Sequence, residues 1–477
     1  MIARDLMAPL MFGGLIVFML VGYPVAFALA AVGLFFGLIG IEMGFFEIAL
    51  LQALPERVFG ILSNDLLLAI PFFTFMGAIL ERCGLAEDLL ESMGQLFGPL
   101  RGGLAYAVII VGAILGAITG TVAASVIAIG LIALPVMMRY GYDKRLATGV
   151  IAASGTITQL IPPSLVLIVL ADQLGRSVGD MYAGAIGPSI LQVLLFCAFV
   201  AVISIVKPAL LPALPPEART LRGRALAIKL LWGIVPSLAL IFVLLGTILL
   251  GLATPTEGGA MGAVGAIILS AMRRRLTWPL LKQSMETTMR ITAMVIFILI
   301  GSTVFGLVFR GMDGDLWVEH QLTALPGGVT GFLIFVNLFV FVLAFFLDFF
   351  EIAFIIIPLL APVAHKLGID LIWFGVLLGA NMQTSFMHPP FGFALFYLRG
   401  IAPREVRSSD IYWGAVPWVL LQLTLVAILI FWPGLVTDFV ARHPVTEPAN
   451  IEIQIPAVET WEDKPGAEVE RILKDGR

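Results

Sequence analysis

The sequence predicts an all-α polytopic membrane protein with two inverted-topology repeats, each containing a re-entrant helical hairpin and a broken transmembrane helix. Three observations lead to this prediction: the composition, the placement of basic residues, and a repeat of prolines and glycines. Of the 477 residues, 60% are apolar and 13% are charged, whereas soluble domains average roughly half apolar and a quarter charged. A soluble domain cannot bury so much apolar surface, so we expect about ten bilayer crossings of about 20 residues each.

Composition also excludes several classes of protein. The net charge of −4 leaves no electrostatic footprint for nucleic acid. The two cysteines lie far apart in apolar segments, and the four histidines have no spacing typical of a zinc or haem site: Cys83 and Cys197, and His320, His365, His388 and His443. We therefore predict no disulfide framework, no resident metal and no organic cofactor.

Long apolar runs define the elements of each half. The first repeat, 1–206, is predicted to contain scaffold helices (7–41), an interfacial arm (45–62), a hairpin (104–138) and a broken helix (146–170). After a cytoplasmic linker at 207–230, the second repeat, 231–440, has scaffold helices (231–272), an arm (273–287), a hairpin (329–364) and a broken helix (371–398). Single spans are expected at 65–80, 188–206, 291–309 and 412–436, and a polar tail at 441–477.

Basic residues favour hairpins over the alternative that 104–138 and 329–364 are one or two full spans each. If each segment is a hairpin that enters and leaves the membrane on the same face, eighteen of the 28 lysines and arginines fall in loops on a single side. Those loops are 81–103, 139–145, 207–229, 273–290 and 399–410. An excess of positive loops marks the cytoplasmic side. Both termini are then predicted to face the periplasm.

A repeat appears when the chain is shifted against itself by 227 positions. Pro135 then falls on Pro362, Gly141 on Gly368 and Asp143 on Asp370, and the double proline 162–163 falls on 389–390. Prolines and glycines mark kinks and turns, so their coincidence carries structural information. Because each half holds an odd number of crossings, the second copy starts on the opposite face of the membrane. Inverted repeats with broken helices are typical of transporters.

The two helix breaks carry polar side chains next to a double proline. They read AASGTITQLIPPS (152–164) and ANMQTSFMHPPFG (380–392). Proline frees backbone carbonyl oxygens, which need partners in an apolar environment. A sodium ion is such a partner, and Ser, Thr, Asn and Gln add neutral oxygen ligands. A double proline can also be only a packed kink, although two copies at matched positions favour function.

The hairpin midpoints supply complementary groups. The first midpoint is Thr119-Gly120-Thr121 with Ser125, and the second contains Asp348 and Glu351. The helix that starts after each midpoint has free N–H groups, which suit a carboxylate without a buried arginine. Asp348 and Glu351 either face a cation or cap a helix. His388 is either a packing residue or a proton carrier.

Several segments together resemble the large membrane subunit of tripartite ATP-independent periplasmic (TRAP) transporters. They include LLAIPFFTFMG (67–77), the stretch from Gly116 to Ser164, ATPTEGGAMGA (253–263) and LDFFEIAFIIIPLLAPV (347–363). The resemblance covers nearly the whole chain before the tail. The family more often has Ser-Gly-Ser at 119–121 and threonine at His388, and its acid matches Glu351 rather than Asp348.

The resemblance implies a sodium-driven, elevator-type secondary transporter of the bacterial inner membrane that imports a small organic acid. It also implies two partners, a periplasmic solute-binding protein and a small four-helix membrane subunit. Carried onto this chain, the sodium-binding candidates are Thr119, Gly120, Thr121, Ser125, Ser154, Gly155, Thr156, Asp348, Glu351, Asn381, Gln383 and Thr384. The substrate-binding candidates are Thr158, Gln159, Pro162, Pro163, Ser164, Ser385, His388, Pro389 and Pro390.

Three other functions compete with this interpretation. A stand-alone sodium/carboxylate symporter of similar fold would work without a binding protein. A proton-conducting subunit of a redox complex would need lysine, histidine and glutamate within the membrane, and no lysine lies within a predicted span. An intramembrane enzyme would need a nucleophile and an oriented base; His388 has Ser385 nearby but no evident orienting partner in the sequence.

Overall fold

Every regular element in the described residues is a helix. The computed structural model describes residues 2–221, 223–389 and 392–440, without the side chains of residues 2–5, 20 and 119. The first half contains α1 (Ile2–Val21), α2 (Val25–Glu42), α3 (Ala49–Gln52), α4 (Leu54–Leu62), α5 (Ala69–Arg82), α6 (Leu85–Phe97), α7 (Gly103–Thr119), α8 (Val122–Arg139), α9 (Lys144–Thr156), α10 (Leu165–Gln173) and α11 (Val178–Val206). The second half contains α12 (Gly223–Leu249), α13 (Pro255–Met272), α14 (Trp278–Gly311), α15 (Gly314–Thr323), α16 (Gly328–Leu343), α17 (Phe349–Glu351), α18 (Ile357–Lys366), α19 (Leu371–Met382), α20 (Phe393–Ile401), α21 (Ser408–Phe431) and α22 (Gly434–Thr437).

The prediction of an all-α polytopic membrane protein is confirmed. Among the described residues, seven helices are long and apolar enough to cross a membrane, and two bent helix pairs raise the number to nine. Six of the ten crossings expected from the sequence are among these nine, and the other three lie in the hairpins. Of the described helices, the expected crossings that do not qualify are α1, α13 and the two broken helices. Each broken helix is divided into two short pieces, because a 3₁₀ turn and an irregular segment interrupt it. The predicted tail, 441–477, lies outside the described residues.

The repeat found in the sequence is also a repeat of structure. Helices α8 and α17 begin 227 positions apart, and so do α9 and α19. The side chains of Asp143 and Asp370 cap α9 and α19 in the same way, each accepting hydrogen bonds from two backbone N–H groups of the first turn. Gly141 and Gly368 both adopt positive φ, at 78° and 71°, in the preceding turn. The matched prolines and glycines thus mark matched bends of the backbone.

Four segments differ from the sequence-based prediction. Helix α12 starts at Gly223, inside the predicted linker 207–230. The described linker residues before α12 form short 3₁₀ turns and irregular structure. The predicted arm 273–287 continues without a break into the following span as the 34-residue helix α14. The predicted loop 81–103 contains helix α6, and the unassigned stretch after α14 contains the equivalent α15. Neither of these short helices contains a long apolar run, so a search for such runs does not detect them.

The most extensive contacts between scaffold helices join one repeat to the other. Helix α2 packs along α14, and its repeat equivalent α13 packs along α5. A Cβ atom on Gly33 of α2 would lie 3.0 Å from the backbone of Phe305 in α14, so this crossing brings two backbones into close contact. The two halves of the sequence therefore form one interlocked scaffold.

The base of the first hairpin is fixed to the linker. The N–H of Gly102 donates to the carbonyl of Leu211, and the N–H of Asp143 donates to that of Leu210, both at 3.0 Å. Between them, the backbone N–H of Leu104 donates to the hydroxyl of Tyr142. Burial raises the pKa of Tyr142 to about 12, so this phenol stays neutral and keeps the contact across the physiological pH range.

Candidate transport site

The first helix break separates α9 from α10. After α9 ends at Thr156, a 3₁₀ turn (Ile157–Gln159) and the double proline precede α10, which starts at Leu165. Ser164 caps α10, since its hydroxyl accepts from Val166 N–H, and the same hydroxyl donates to the carbonyl of Gln159 at 2.6 Å. Pro162 and Pro163 are buried beside it. The break is thus an ordered, buried turn inside the protein.

The first hairpin lies directly against this break. Three glycines spaced four residues apart face the break: Gly112 and Gly116 on α7, and Gly120 just after it. A Cβ would lie 2.7 Å from Ser154 if added to Gly112 and 2.9 Å from Thr158 if added to Gly116. One added to Gly120 would lie 3.7 Å from Leu165. Gly155 contacts Val126 of α8 even more closely, because a Cβ there would lie 2.2 Å from the valine methyl. Small residues on this face let the hairpin and the break meet backbone to backbone.

The hairpin turn itself is Gly120 and Thr121. Gly120 has a φ of 62° and ends α7, and Thr121 is the first residue before α8. Thr121 is half-buried, whereas Ser125, one turn into α8, is completely buried. The side chain of Thr119 lies outside the described part of the chain.

The second break has the same form but is richer in amide groups. Helix α19 ends at Met382 and a 3₁₀ turn covers Gln383–Met387 before α20 starts at Phe393. The hydroxyls of Thr384 and Ser385 each donate to a carbonyl three residues earlier. Asn381 donates from Nδ2 to the backbone oxygen of Asn337 on α16 at 2.7 Å and to its side-chain oxygen at 3.1 Å. Pro389 is half-buried, and Pro390 lies outside the described residues.

At the second hairpin, Asp348 and Glu351 form a capping box. The N–H of Asp348 donates to Glu351 Oε2, and the N–H of Glu351 donates to Asp348 Oδ1, both at 2.9 Å. Asp348 therefore starts α17 as Thr121 starts α8, which is the correspondence predicted by the 227-residue offset. A π-helical turn (Ile352–Ile356) follows and joins α17 to α18. Of the two roles considered for these acids, helix capping is present in the structure.

His388 is packed between aromatic rings. Its imidazole stacks on Phe345 at 4.1 Å and meets the edge of Phe341 at 4.5 Å between ring centroids. Both phenylalanines belong to the second hairpin, α16 and the residues after it. The contact fixes the second hairpin against the second break, as the glycine face of α7 fixes the first pair.

The two breaks also contact each other and the two long helices α11 and α21. Thr156 Oγ1 lies 3.5 Å from the sulfur of Met387, and it accepts a hydrogen bond from Gln422 of α21 at 3.0 Å. Gln383 and Gln192 of α11 exchange hydrogen bonds through both amides. Gln192, Gln422 and Asn337 are not among the site residues predicted from the sequence. A single amide within an apolar span is a detectable signal, since it is costly in a membrane unless paired.

Equivalent positions of the two breaks leave buried oxygens without a hydrogen-bond partner. Ser154 and Asn381 are related by the 227-residue offset and both are fully buried. Neither Ser154 Oγ nor Asn381 Oδ1 has a hydrogen bond within the described residues. A buried unsatisfied polar atom costs about 1–3 kcal/mol, so such atoms need a physical explanation. A bound cation with a preference for oxygen ligands would supply one.

A large apolar cavity borders the second hairpin. It has a volume of about 990 Å³ and runs between α1, α15 and α16, with Ser385 and Phe393 of the second break in its wall. The remaining polar side chains in its lining are Trp317 and Gln321. This cavity offers little to a carboxylate, so the polar breaks rather than the cavity form the candidate transport site.

A comparison with known protein families identifies the family of this chain. Residues 12–435 match the family described as the tripartite ATP-independent periplasmic transporter, DctM component. The chain belongs to this family. It is therefore the large permease component of a three-part transporter and not an enzyme, and the predicted resemblance is confirmed.

Individual relatives agree with this assignment. The C4-dicarboxylate TRAP transporter large permease protein DctM of Vibrio cholerae is 30% identical over 444 residues, which cover 88% of this chain and 94% of the relative. The protein of the same name from Pseudomonas aeruginosa is 29% identical over 384 residues, covering 80% and 88%. The crystal structure of the Alcanivorax borkumensis YdaH transporter superposes with a TM-score of 0.59 at 18% identity, covering 81% of this chain and 88% of that one. This last likeness concerns the fold alone.

Proposed function

We propose that this TRAP permease subunit imports a small organic acid together with sodium ions. The acid is delivered by a periplasmic solute-binding protein, and a small four-helix membrane subunit completes the complex. Both relatives described above are named for C4-dicarboxylates, which supports an organic acid as the transported solute. Much of the selectivity then belongs to the binding protein.

One observation carries the sodium part of this proposal: Ser154 and Asn381 occupy repeat-equivalent positions, and each buries an oxygen with no hydrogen-bond partner in the described residues. Na⁺ is a hard cation that binds neutral and anionic oxygens. Each oxygen lies in a break that is fixed against a hairpin. We therefore propose two sodium sites, one for each hairpin and break, with the remaining oxygen ligands among the candidates Thr121, Ser125, Thr156, Thr384 and Glu351.

Helix starts support the binding of a carboxylate in the same region. Gly120 of the first hairpin turn lies beside Leu165, the first residue of α10, so α8 and α10 start close to each other. Free N–H groups at a helix start favour an anion. We propose that these starts hold the acid between the two breaks, with Thr158, Ser164 and Ser385 as polar contacts.

The fold supports an elevator motion in the bacterial inner membrane. In this proposal, both hairpins, both broken helices, α11 and α21 move as one body against the scaffold of α1, α2, α5 and α12–α14. The excess of basic residues in one set of loops supports a cytoplasmic position for that set and a periplasmic position for both termini. Inverted repeats allow the site to open to either side of the membrane.

Uptake by proteoliposomes that contain both membrane subunits tests the proposal. We expect transport only with a sodium gradient and the binding protein. Uptake that continues without the binding protein would favour the stand-alone symporter, and uptake that continues without sodium and without the binding protein would reject the proposed mechanism. Thr121→Ala and Asp348→Ala should each weaken activation by sodium, and unchanged activation in both would remove these residues from the sites.

Ser154→Ala gives the sharpest test of a single oxygen. It removes an unpartnered hydroxyl, so no hydrogen bond of the described structure is lost. Because an interaction with a charged group contributes about 1.5–3 kcal/mol, we expect the half-saturating sodium concentration to rise about ten-fold or more. The matched control is Ser237→Ala in α12, where a buried serine bonds to the carbonyl of Gly233 in its own helix. Equal sodium curves for the two variants would exclude Ser154 as a ligand.

A further inference from the structure

Two buried glutamines outside the breaks connect each break to the opposite repeat. Gln192 of α11, in the first repeat, donates to Gln383 of the second break at 2.7 Å and accepts a hydrogen bond from it at 3.3 Å. Gln422 of α21, in the second repeat, donates to Thr156 of the first break at 3.0 Å. Gln192 is 1% exposed and Gln422 is 0% exposed.

The two amide contacts are related by the internal repeat. Thr156 and Gln383, the residues contacted, are 227 positions apart, which is the offset of the breaks. Helices α11 and α21 start at Val178 and Ser408, which are 230 positions apart, and Gln192 and Gln422 are separated by the same number. Each glutamine therefore lies at the same place in its helix and reaches the same place in the opposite break.

These contacts differ from apolar packing because they are hydrogen bonds of buried amides close to the proposed sodium ligands. A primary amide buried at membrane depth is costly unless its donor and acceptor groups are satisfied. Both amide groups of Gln192 have a partner, whereas Gln422 donates from Nε2 and its Oε1 has no hydrogen bond within the described residues. Each glutamine contacts a residue two positions after Ser154 or Asn381, the residues whose buried oxygens have no hydrogen-bond partner. A shift of the contacted residue would move those oxygens as well, because they lie within the same turn of helix.

We propose that Gln192 and Gln422 are repeat-related positioning residues that set the geometry of the two sodium sites and couple one site to the other. This inference rests on the proposed sodium coupling. Each glutamine joins a helix of one repeat to the ion-binding break of the other, so neither break can relax alone. Through these hydrogen bonds, the glutamines hold the ligand-bearing turns in place.

Sodium activation curves of the reconstituted complex test the proposal. Gln192→Leu keeps the volume of the side chain but removes the hydrogen bonds that it exchanges with Gln383. We expect its half-saturating sodium concentration to rise about five-fold and its Hill coefficient to fall, with uptake at saturating sodium largely kept. Gln422→Leu, which removes one hydrogen bond, should give a smaller shift of about three-fold.

The controls separate positioning from a simple loss of stability. Gln95→Leu on α6 is matched in chemistry, since Gln95 donates to the carbonyl of Ala218 in the linker and no hydrogen bond of the described residues joins it to either break. It should leave the sodium curve unchanged even if it lowers the melting temperature. Asparagine variants at 192 and 422 keep the amide but shorten its reach. If the leucine variant at either position does not fold, sodium activation is measured with the asparagine variant instead.

The outcomes distinguish the two proposals. If wild-type uptake does not depend on sodium, the proposed function fails. If wild-type uptake depends on sodium while the folded variants at 192 and 422 keep its half-saturating concentration and Hill coefficient, the positioning role is wrong. Gln422→Leu combined with Thr156→Val should shift the curve no further than the larger single effect, and fully additive shifts would also contradict the contact.

Discussion

At the second hairpin, Asp348 and Glu351 stabilise the start of α17 through each other's backbone N–H groups. The capping box satisfies donors that would otherwise be left free at a buried helix start. Glu351 is 9% exposed, so these donors have little access to water. The acids thus have a structural role that is compatible with facing a cation, since each carboxylate has two oxygens.

Neutral substitution of Asp348 separates the cap from the charge. Asparagine caps a helix about as well as aspartate, whereas alanine costs about 1 kcal/mol. We expect Asp348→Ala to lower the melting temperature of the purified protein and Asp348→Asn to leave it nearly unchanged. Thermal unfolding followed by tryptophan fluorescence provides the measurement. An asparagine variant as unstable as the alanine variant would mean that the negative charge, not the cap, stabilises this turn.

Some residues of the site could be predicted from the sequence, and others could not. The double prolines locate both breaks because proline cannot continue a helix without a local rearrangement. The offset of 227 correctly pairs Thr121 with Asp348 as helix-starting residues. The partners of Gln192, Gln422 and Asn337 depend on which helices cross, and the order of residues along the chain does not contain that information.

Helices α9 and α21 cross at a pair of glycines. A Cβ on Gly149 would lie 2.2 Å from the carbonyl oxygen of Gly414, and a Cβ on Gly414 would lie 2.3 Å from that of Arg145. Trp418 of α21 also borders the contact, with its Nε1 2.6 Å from the Cβ position of residue 149. The close approach brings α21 near enough for Gln422 to reach Thr156.

Alanine at position 149 should therefore force the two helices apart. We expect Gly149→Ala to destabilise the protein by about 1–3 kcal/mol, the usual cost of overpacking. Gly246→Ala in α12 is the matched control, because a Cβ there meets no atom within 4 Å and alanine favours a helix over glycine. Chemical or thermal unfolding in detergent gives the comparison. Equal stability of the two variants would show that the crossing is not close-packed.

The short helices α6 and α15 show the limit of prediction at the level of elements. Helix α6 places Asp88 and Glu91 on one side, where they pair with Arg273 and Lys229 at 2.7 Å each. In the sequence, these acids within 81–103 favour a loop, because the segment has no long apolar run. Its opposite face is buried against α7 and α12, and such amphipathicity identifies a helix only when the neighbours that cover it are known.

The inverted repeat determines how the whole molecule is assembled. Scaffold helices pair across the repeats, as α2 does with α14 and α5 with α13. Gln192 and Gln422 each connect a long helix of one repeat to the break of the other. A repeat of prolines and glycines in the sequence predicts two related halves, but the crosswise pairing emerges only from the three-dimensional packing.

A contact between the scaffold and the proposed moving body allows the elevator motion to be tested. Asn64 lies before α5, and its Nδ2 donates to Oδ1 of Asp172 in α10 at 2.8 Å. If α10 moves against α5 during transport, this hydrogen bond must break in each cycle. We expect Asn64→Cys with Asp172→Cys, joined by a short cleavable bifunctional thiol reagent, to stop uptake, and a reductant to restore it.

The native cysteines and the single variants provide the controls for this experiment. Cys83 and Cys197 are free thiols and are first replaced by alanine and serine, respectively. Each single-cysteine variant treated with the reagent should keep transporting, because one modified thiol does not fix the two bodies together. Mass spectrometry of the linked peptides measures how complete the reaction is. Transport at the normal rate by fully linked protein would mean that α5 and α10 stay together throughout the cycle, and the moving body would then have to exclude α10.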